Sequence, residues 1–429
     1  MSSLLTSVIG FGAADHELSI GELQPILDEA LSQIGKGARV LAIIPDKTRD
    51  DNTHLIFPLA ARVLAGECRA AVLDVLVAQG THGPMTEREK LSKIGALEEP
   101  LPLRGQIYDH RWDDPGELAT IGELKSERVS ELSRGLLDQT IPLKVNRLLE
   151  RGCYDNVLVF GGTVPHEVAG FAGGAKYFFP GVAGPDLTHA THWLGALAGI
   201  ENVIGIVETP IRHLIEAAAE YIPAPVISLN SVVSRGLEGE LRTHALFAGE
   251  IKEAFRRAAE VSRGVHIRYV NRKYRRVVAL LDEHYDELWV GGKASYRLGA
   301  VIEDGGELLV YAPHLRAISD IHGTLIEKYG YAPLESVREM VADSPELQRN
   351  LCVAAHLAHV AYASRRDEHG RVVPRFKIKL ASGIDEAKCR QVNLGYMDHR
   401  SFRLGDYESD AETLIVKRAG QDLYLLGSP

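Results

Sequence analysis

The sequence predicts an α/β protein built as two α/β domains, with a cofactor and substrate cleft between them. Three observations carry the prediction. Short β-branched runs alternate with stretches of helical periodicity, the pattern of a parallel sheet covered by helices. The first of those runs end in polar tails rich in chemistry. The alternation then starts afresh near residue 265.

Taken in order, Ile20–Ile34 has apolar residues at helical spacing, Arg39–Pro45 is an apolar strand closed by proline, and His54–Ala65 is helical again. Ala71–Gly80, Asn156–Gly162 and Asn202–Glu208 are further strand-like runs. Ligands of such sheets sit beyond the carboxyl ends of the strands, where this chain places DKTRD after the first run and GTH after the second. Past residue 265 the runs VHIRYV, RRVVALL, ELWVGG and ELLVYAP read as a second set of strands, followed by helices over Leu334–Ala342 and Pro345–Ala363. The terminal TLIVK and DLYLL read as a strand pair returning to the first domain. The expected division is therefore an N-terminal cofactor-binding and catalytic domain over 1–265, completed by 405–429, and a C-terminal domain over 266–404 that adds substrate-binding residues.

A chain of 429 residues with 45% hydrophobic content is too long for one small core. Its formal charge of −10 comes without a long basic run, which argues against nucleic acid or an anionic membrane as partner. Cys68, Cys153, Cys352 and Cys389 form no CxxC pair, so neither a disulfide framework nor a thiolate zinc site is indicated. The N-terminal stretch lacks a positive n-region, and no apolar run reaches the roughly 18 residues of a spanning helix. The expectation is a cytoplasmic protein acting on small molecules.

The segment Gly162 to His192, GTVPHEVAGFAGGAKYFFPGVAGPDLTHATH, carries the most chemistry. Gly170, Gly173 and Gly174 permit positive φ and close backbone approach, and Lys176 follows them. Lysine is the usual point of covalent attachment through nitrogen, and imidazole serves as base or as ligand for nickel, zinc or copper. The segment reads as a cofactor platform flanked by His166, His189 and His192. Asp46 and Arg49 read either as a ligand-binding pair or as a surface ion pair beside a helix cap at Thr48 or Asp51. His82, between Gly80 and Gly83, suits a general base at the sheet edge or an ordinary turn. His356 and His359 have i, i+3 spacing and read by default as a solvated or core pair. GxSxG, HExxH, GxxxxGK[ST] and GxGxxG are all missing from their expected places.

Taken together, Asp46-Lys47-Thr48-Arg49, the GTHGPMT element over Gly80–Thr86, PHEVAGFAGGAK over Pro165–Lys176 and the downstream His192 resemble the nickel-pincer-nucleotide-dependent lactate racemases and their 2-hydroxyacid racemase and epimerase relatives. The resemblance implies that Lys176 bonds covalently to the pincer nucleotide, with Asp46, Gly173 and Gly174 beside it. It implies His192 as the protein ligand of nickel and His82 and His166 as the two catalytic bases. Arg49 and Lys293 would hold the substrate, and cofactor biosynthesis proteins would be partners.

One departure bears on the substrate. The tyrosine-glutamine pair that precedes the family's substrate-binding lysine is deleted in VGGKASYRLGAVIEDGG, where Lys293 takes that lysine's place. The implied activity is an isomerase inverting C2 of a 2-hydroxy acid by reversible hydride transfer, on a substrate that need not be lactate. Two rival readings stay open from sequence. One is a Schiff-base enzyme with pyridoxal phosphate on Lys176; the other is a non-catalytic protein binding the nickel cofactor or a hydroxy acid.

Overall fold

A computed structural model describes residue 5 and residues 7–236, 239–283 and 285–428. It divides the chain into two compact units, one holding the residues up to Thr191 and Ile206–Val265, the other His192–Gly205 and everything from His266 on.

The first unit is organised by a seven-stranded sheet of β1 (Ile9–Gly12), β2 (Arg39–Pro45), β3 (Val72–Ala78), β4 (Ile107–Tyr108), β5 (Asn156–Gly162), β6 (Val226–Arg235) and β7 (Leu241–Gly249), in the order β1-β7-β6-β5-β2-β3-β4. The five strands from β6 to β4 run parallel, while β7 is antiparallel to both β6 and β1. β2 pairs on both edges, Val40–Ile43 against Asn156–Val159 and Arg39–Pro45 against Val72–Ala78. Every residue of β2 after Arg39 is buried. That is why its sequence reads as a continuous apolar run rather than an alternating one.

Helices α1 (Ile20–Leu31) and α2 (Thr53–Gly66) press Leu23, Leu27, Ile56 and Phe57 onto the sheet, with Phe57 packed 5.3 Å from Phe160 of β5. Later in the chain come α3 (Pro185–Ala198), α4 (Pro210–Ala219) and α5 (Ile251–His266). The chain leaves β2 outward through β3 to β4 and then returns to β5 on the other side of β2. The sheet therefore changes direction between β2 and β5, the place where doubly wound sheets bind ligands, and the carboxyl ends of β2, β3 and β5 share that edge.

The second unit has a five-stranded parallel sheet. With β8 (Ile267–Val270) paired elsewhere, its strands are β9 (Tyr274–Leu280), β10 (Ile302–Ala312), β11 (Lys377–Ser382), β12 (Gly395–Tyr396) and β13 (Thr413–Val416), ordered β12-β11-β10-β9-β13. β14 (Leu423–Leu426) runs parallel to β8.

Three sequence expectations are corrected here. The terminal runs do not pair with each other or complete the first unit: β13 extends the second sheet beside β9, and β14 joins β8. Asn202–Glu208 is not a strand. Ile200–Asn202 forms a 3-10 turn and Gly205 takes φ +75°, so the run is apolar because Val203 and Ile204 are buried. ELWVGG is likewise helical, as α6 (Leu288–Gly291), followed by α7 (Lys293–Leu298); α8 (Leu334–Asp343) and α9 (Leu351–Ala361) lie further on. No helix among the described residues is long and apolar enough to cross a membrane.

Candidate active site

The tail of β2 bends back on itself. Asp46, 2% exposed, accepts hydrogen bonds at Oδ1 from the Thr48 amide (2.8 Å) and the Thr48 hydroxyl (2.5 Å). Its Oδ2 meets His82 Nδ1 at 2.7 Å. Burial works to raise the Asp46 pKa, yet the charge and hydrogen bond of His82, the Arg49 guanidinium and the Thr48 hydroxyl together hold it well below the usual carboxylate range. An ionised carboxylate at Nδ1 keeps the proton there. His82 Nε2 is thereby left as the lone-pair nitrogen of the neutral ring.

The turn after β3 presents that ring. Gly80 takes φ +57° and donates its amide to the Gly181 carbonyl (2.9 Å), while the His82 amide donates to Gln79 (3.0 Å). The helix expected to begin near Thr48 or Asp51 starts a little later, with Asn52 as its cap and Asp51 Oδ1 accepting from the Thr53 amide.

Beyond β5, Pro165 and His166 form a two-residue ladder with Phe171 and Gly170. His166 is buried, and its Nδ1 accepts the Val168 amide at 3.1 Å. That bond leaves Nε2 as the N–H of the neutral ring, the opposite arrangement to His82. Glu167 Oε2 stands 3.4 Å from the same Nδ1 and would stabilise the doubly protonated ring.

The glycine loop turns inward. Gly170, Gly173 and Gly174 take φ of +76°, +101° and +58°. A Cβ on Gly173 would meet Thr163 Oγ1 at 2.6 Å, and one on Gly174 would meet Phe255 Cβ at 2.9 Å. The Gly174 amide donates to Asn230 Oδ1 at 2.9 Å. Those two glycines thus let the loop pack against its own domain and carry it to the lysine two residues beyond Gly174.

That residue is Lys176, on the 3-10 turn Gly174–Tyr177, part-buried, with the Tyr177 ring beside it stacked over Gly161. Burial, and next the positive charge of Arg49, lower its amine pKa to about 7; Glu167 opposes them, and Arg212 and Asp46 add smaller effects of opposite sign. A substantial fraction is then the uncharged nucleophile at neutral pH.

The structure therefore brings Asp46, Arg49, His82, His166 and Lys176 into one connected set on the first unit. His192 and Lys293 belong to the second unit, on α3 and at the start of α7, with Lys293 Nζ 5.4 Å from the centre of the Tyr285 ring. His189 packs edge-on against Trp112 at 5.7 Å, and burial lowers its pKa. His356 and His359 are core residues of α9, with the His356 ring 4.1 Å from Trp289. Arg212, Asn230 and Glu167 escaped the sequence reading. The signal available for Arg212 was its i, i+4 spacing with Glu216 on the apolar face of a short helix.

The chain matches the lactate racemase N-terminal domain family over residues 15–203. It is 28% identical over 169 residues to a lactate racemase of Lactiplantibacillus plantarum, covering 39% of this chain and 36% of that protein. It is 24% identical over 294 residues to a lactate racemase of Thermoanaerobacterium thermosaccharolyticum, covering 67% of this chain and 63% of that one. The match thus spans less than two thirds of either curated relative. A Thermotoga maritima protein of known crystal structure superposes with a TM-score of 0.87 at 33% identity, over 97% of this chain and all of that one. The T. thermosaccharolyticum lactate racemase apoprotein gives a TM-score of 0.69 at 17% identity over 97% of this chain and 100% of its own, a likeness of fold.

Proposed function

This chain belongs to the lactate racemase-like family, and from that premise we propose that it is a nickel-dependent isomerase inverting C2 of a 2-hydroxy acid, with a nickel-pincer nucleotide bonded to Lys176. The observation that carries the reading is the Lys176 amine, lowered to about 7 beside Arg49 and Asp46 at the end of a glycine loop. An amine in that state fits a group attached through nitrogen. His192 would ligate the metal, and Asp46, Gly173 and Gly174 would shape the floor of the site.

When bound, the cofactor supplies a reversible acceptor for the C2 hydride. The protein's own residues do the rest. Arg49 offers a planar fork for the substrate carboxylate, and Lys293 a second cation for the substrate's oxygens. His82, its Nδ1 hydrogen directed at Asp46, accepts the hydroxyl proton at Nε2. His166 donates its Nε2 hydrogen from the doubly protonated ring, the state Glu167 would stabilise at Nδ1, to the oxygen on the opposite approach, and is left as the neutral ring able to accept at Nε2 in the reverse direction. The hydroxyl points in different directions in the two enantiomers, so each direction of turnover uses one imidazole as base and the other as acid. The deletion before Lys293 supports a substrate other than lactate, with a different side-chain pocket.

The test is the intact mass and nickel content of the protein isolated from cells that make the cofactor, with Lys176→Ala as control. A nickel-bearing adduct present in the wild type and lost in the variant is expected. An unmodified, metal-free chain from cells that load a known lactate racemase would overturn the reading.

A further inference from the structure

Arg212 has no place in the chemistry above, yet it stands first among the largest fully buried side chains of the described residues, with none of its surface exposed. A guanidinium without water must spend its hydrogens on protein acceptors. Here the two terminal nitrogens donate to one loop, while Nε finds no acceptor among the described residues. Nη1 donates to the Gly173 carbonyl at 3.1 Å, and Nη2 to the carbonyls of Ala169 (3.4 Å) and Phe171. Three alternate residues of the segment leading to Lys176 are gathered on a single cation.

The opposite side of the guanidinium's environment is equally specified. Its carbon lies 3.8 Å from the centre of the Phe255 ring, a cation–π contact in a desolvated setting. Glu216, one helical turn along α4 and itself buried, supplies the counter-charge. Asn230 takes the Gly174 amide from β6, so the loop is held by two side chains from two different elements. Burial lowers the Arg212 pKa to about 10, which leaves it charged at neutral pH.

We propose that Arg212 is the positioning residue for cofactor attachment: by binding the carbonyls of residues 169, 171 and 173 it sets the course of the loop and hence the place and surroundings of the Lys176 amine. The inference rests on the reading of Lys176 as the attachment point. Its charge also acts on Lys176 directly, in the sense that favours the free amine. Arginine is required because one planar fork serves three carbonyls fixed in space; an ammonium at the end of a lysine stem is shorter and unforked.

The experiment is competitive acylation of the cofactor-free full-length protein with an acetylating reagent across pH, reading Lys176 by peptide mass spectrometry against the other lysines. The wild type should label Lys176 with a midpoint near 7. In Arg212→Met the midpoint should move up, cutting labelling at pH 7 about twofold or more, and Arg212→Lys should restore part of it. Folded variants with an unchanged Lys176 midpoint and rate would overturn the proposal. Where Arg212→Met does not fold, Arg212→Lys, which keeps the charge and loses the fork, decides it by the same readout. The adduct measurement on wild type from cofactor-making cells separates the two levels. An absent adduct refutes Lys176 as attachment point, whereas an adduct with unmoved labelling in the variants refutes only the role of Arg212.

Discussion

Asp46 Oδ2 lies 2.7 Å from His82 Nδ1, with 3% of the carboxylate side chain and 22% of the imidazole exposed. The buried partner is the anion and the open partner is the ring, so the charge is fixed where water cannot reach it. The ring's other nitrogen is left without that carboxylate, on the more exposed of the two partners.

Asp46→Asn removes the charge while keeping the shape. The amide can face His82 with either oxygen or nitrogen, and the tautomer is no longer dictated. Turnover of the loaded protein should fall roughly a hundred- to ten-thousand-fold, with a smaller change in KM. The same variant should flatten the acid limb of stability. Because the folded pKa of Asp46 lies below its ordinary 3.8, its contribution is present above that value and is lost as pH falls from there toward the folded pKa. Urea unfolding between about pH 5 and pH 2 reads this directly.

Lys176→Met should stabilise the cofactor-free protein. With the folded pKa near 7 and the ordinary value 10.5, the unfolded chain holds a proton that the native state gives up. The cost of burying the lysine is full below about pH 7 and fades as pH rises toward 10.5. The gain should be on the order of 5 kcal/mol at pH 6 and near zero above pH 10.5, by thermal melting at both. Equal gains at the two pH values would show that packing, not charge, is responsible.

His82→Ala and His166→Ala should each impair inversion of both enantiomers by roughly a hundredfold or more, since neither direction dispenses with either ring. A substrate deuterated at C2 should keep its deuterium in the inverted product. Exchange with solvent hydrogen at C2 would instead mean proton abstraction and would sink hydride transfer.

Gly173→Ala places a methyl 2.6 Å from Thr163 Oγ1, at a φ of +101°. A loss of about 1–3 kcal/mol in unfolding free energy is expected. Thr163→Ala should recover part of it in the double variant, and no coupling between the two sites would contradict the clash.

The strands β2 and β5 were legible to the residue because their apolar runs are bounded by Pro45 and by Gly161-Gly162, and because buried parallel strands need no alternation. The same logic misled at Asn202–Glu208 and ELWVGG. Burial makes a short run apolar whether it is strand, turn or one helical turn, and periodicity cannot separate these. In the site, Asp46, His82 and Lys176 were visible as polar residues at strand tails and after glycines. Arg212 was not, because a lone arginine in PIRHLIEAAA looks like a solvated side chain until its acceptors, some forty residues earlier, are folded onto it. The tautomers of His82 and His166 were equally hidden, since each is set by one hydrogen bond, given by His82 to a carboxylate 36 residues away and received by His166 from an amide two residues on.

The gathering of three loop carbonyls on Arg212 ties two distant stretches of sequence into one heritable unit. A change at Gly173 alters what Arg212 must reach, and a change at Arg212 leaves the loop's acceptors buried with no donor, so single steps away from either are steep. Asn230 and Phe255, which close the same enclosure, share the constraint. A foreign version of the segment that presents Lys176 should therefore be accepted only where its carbonyls still meet Arg212.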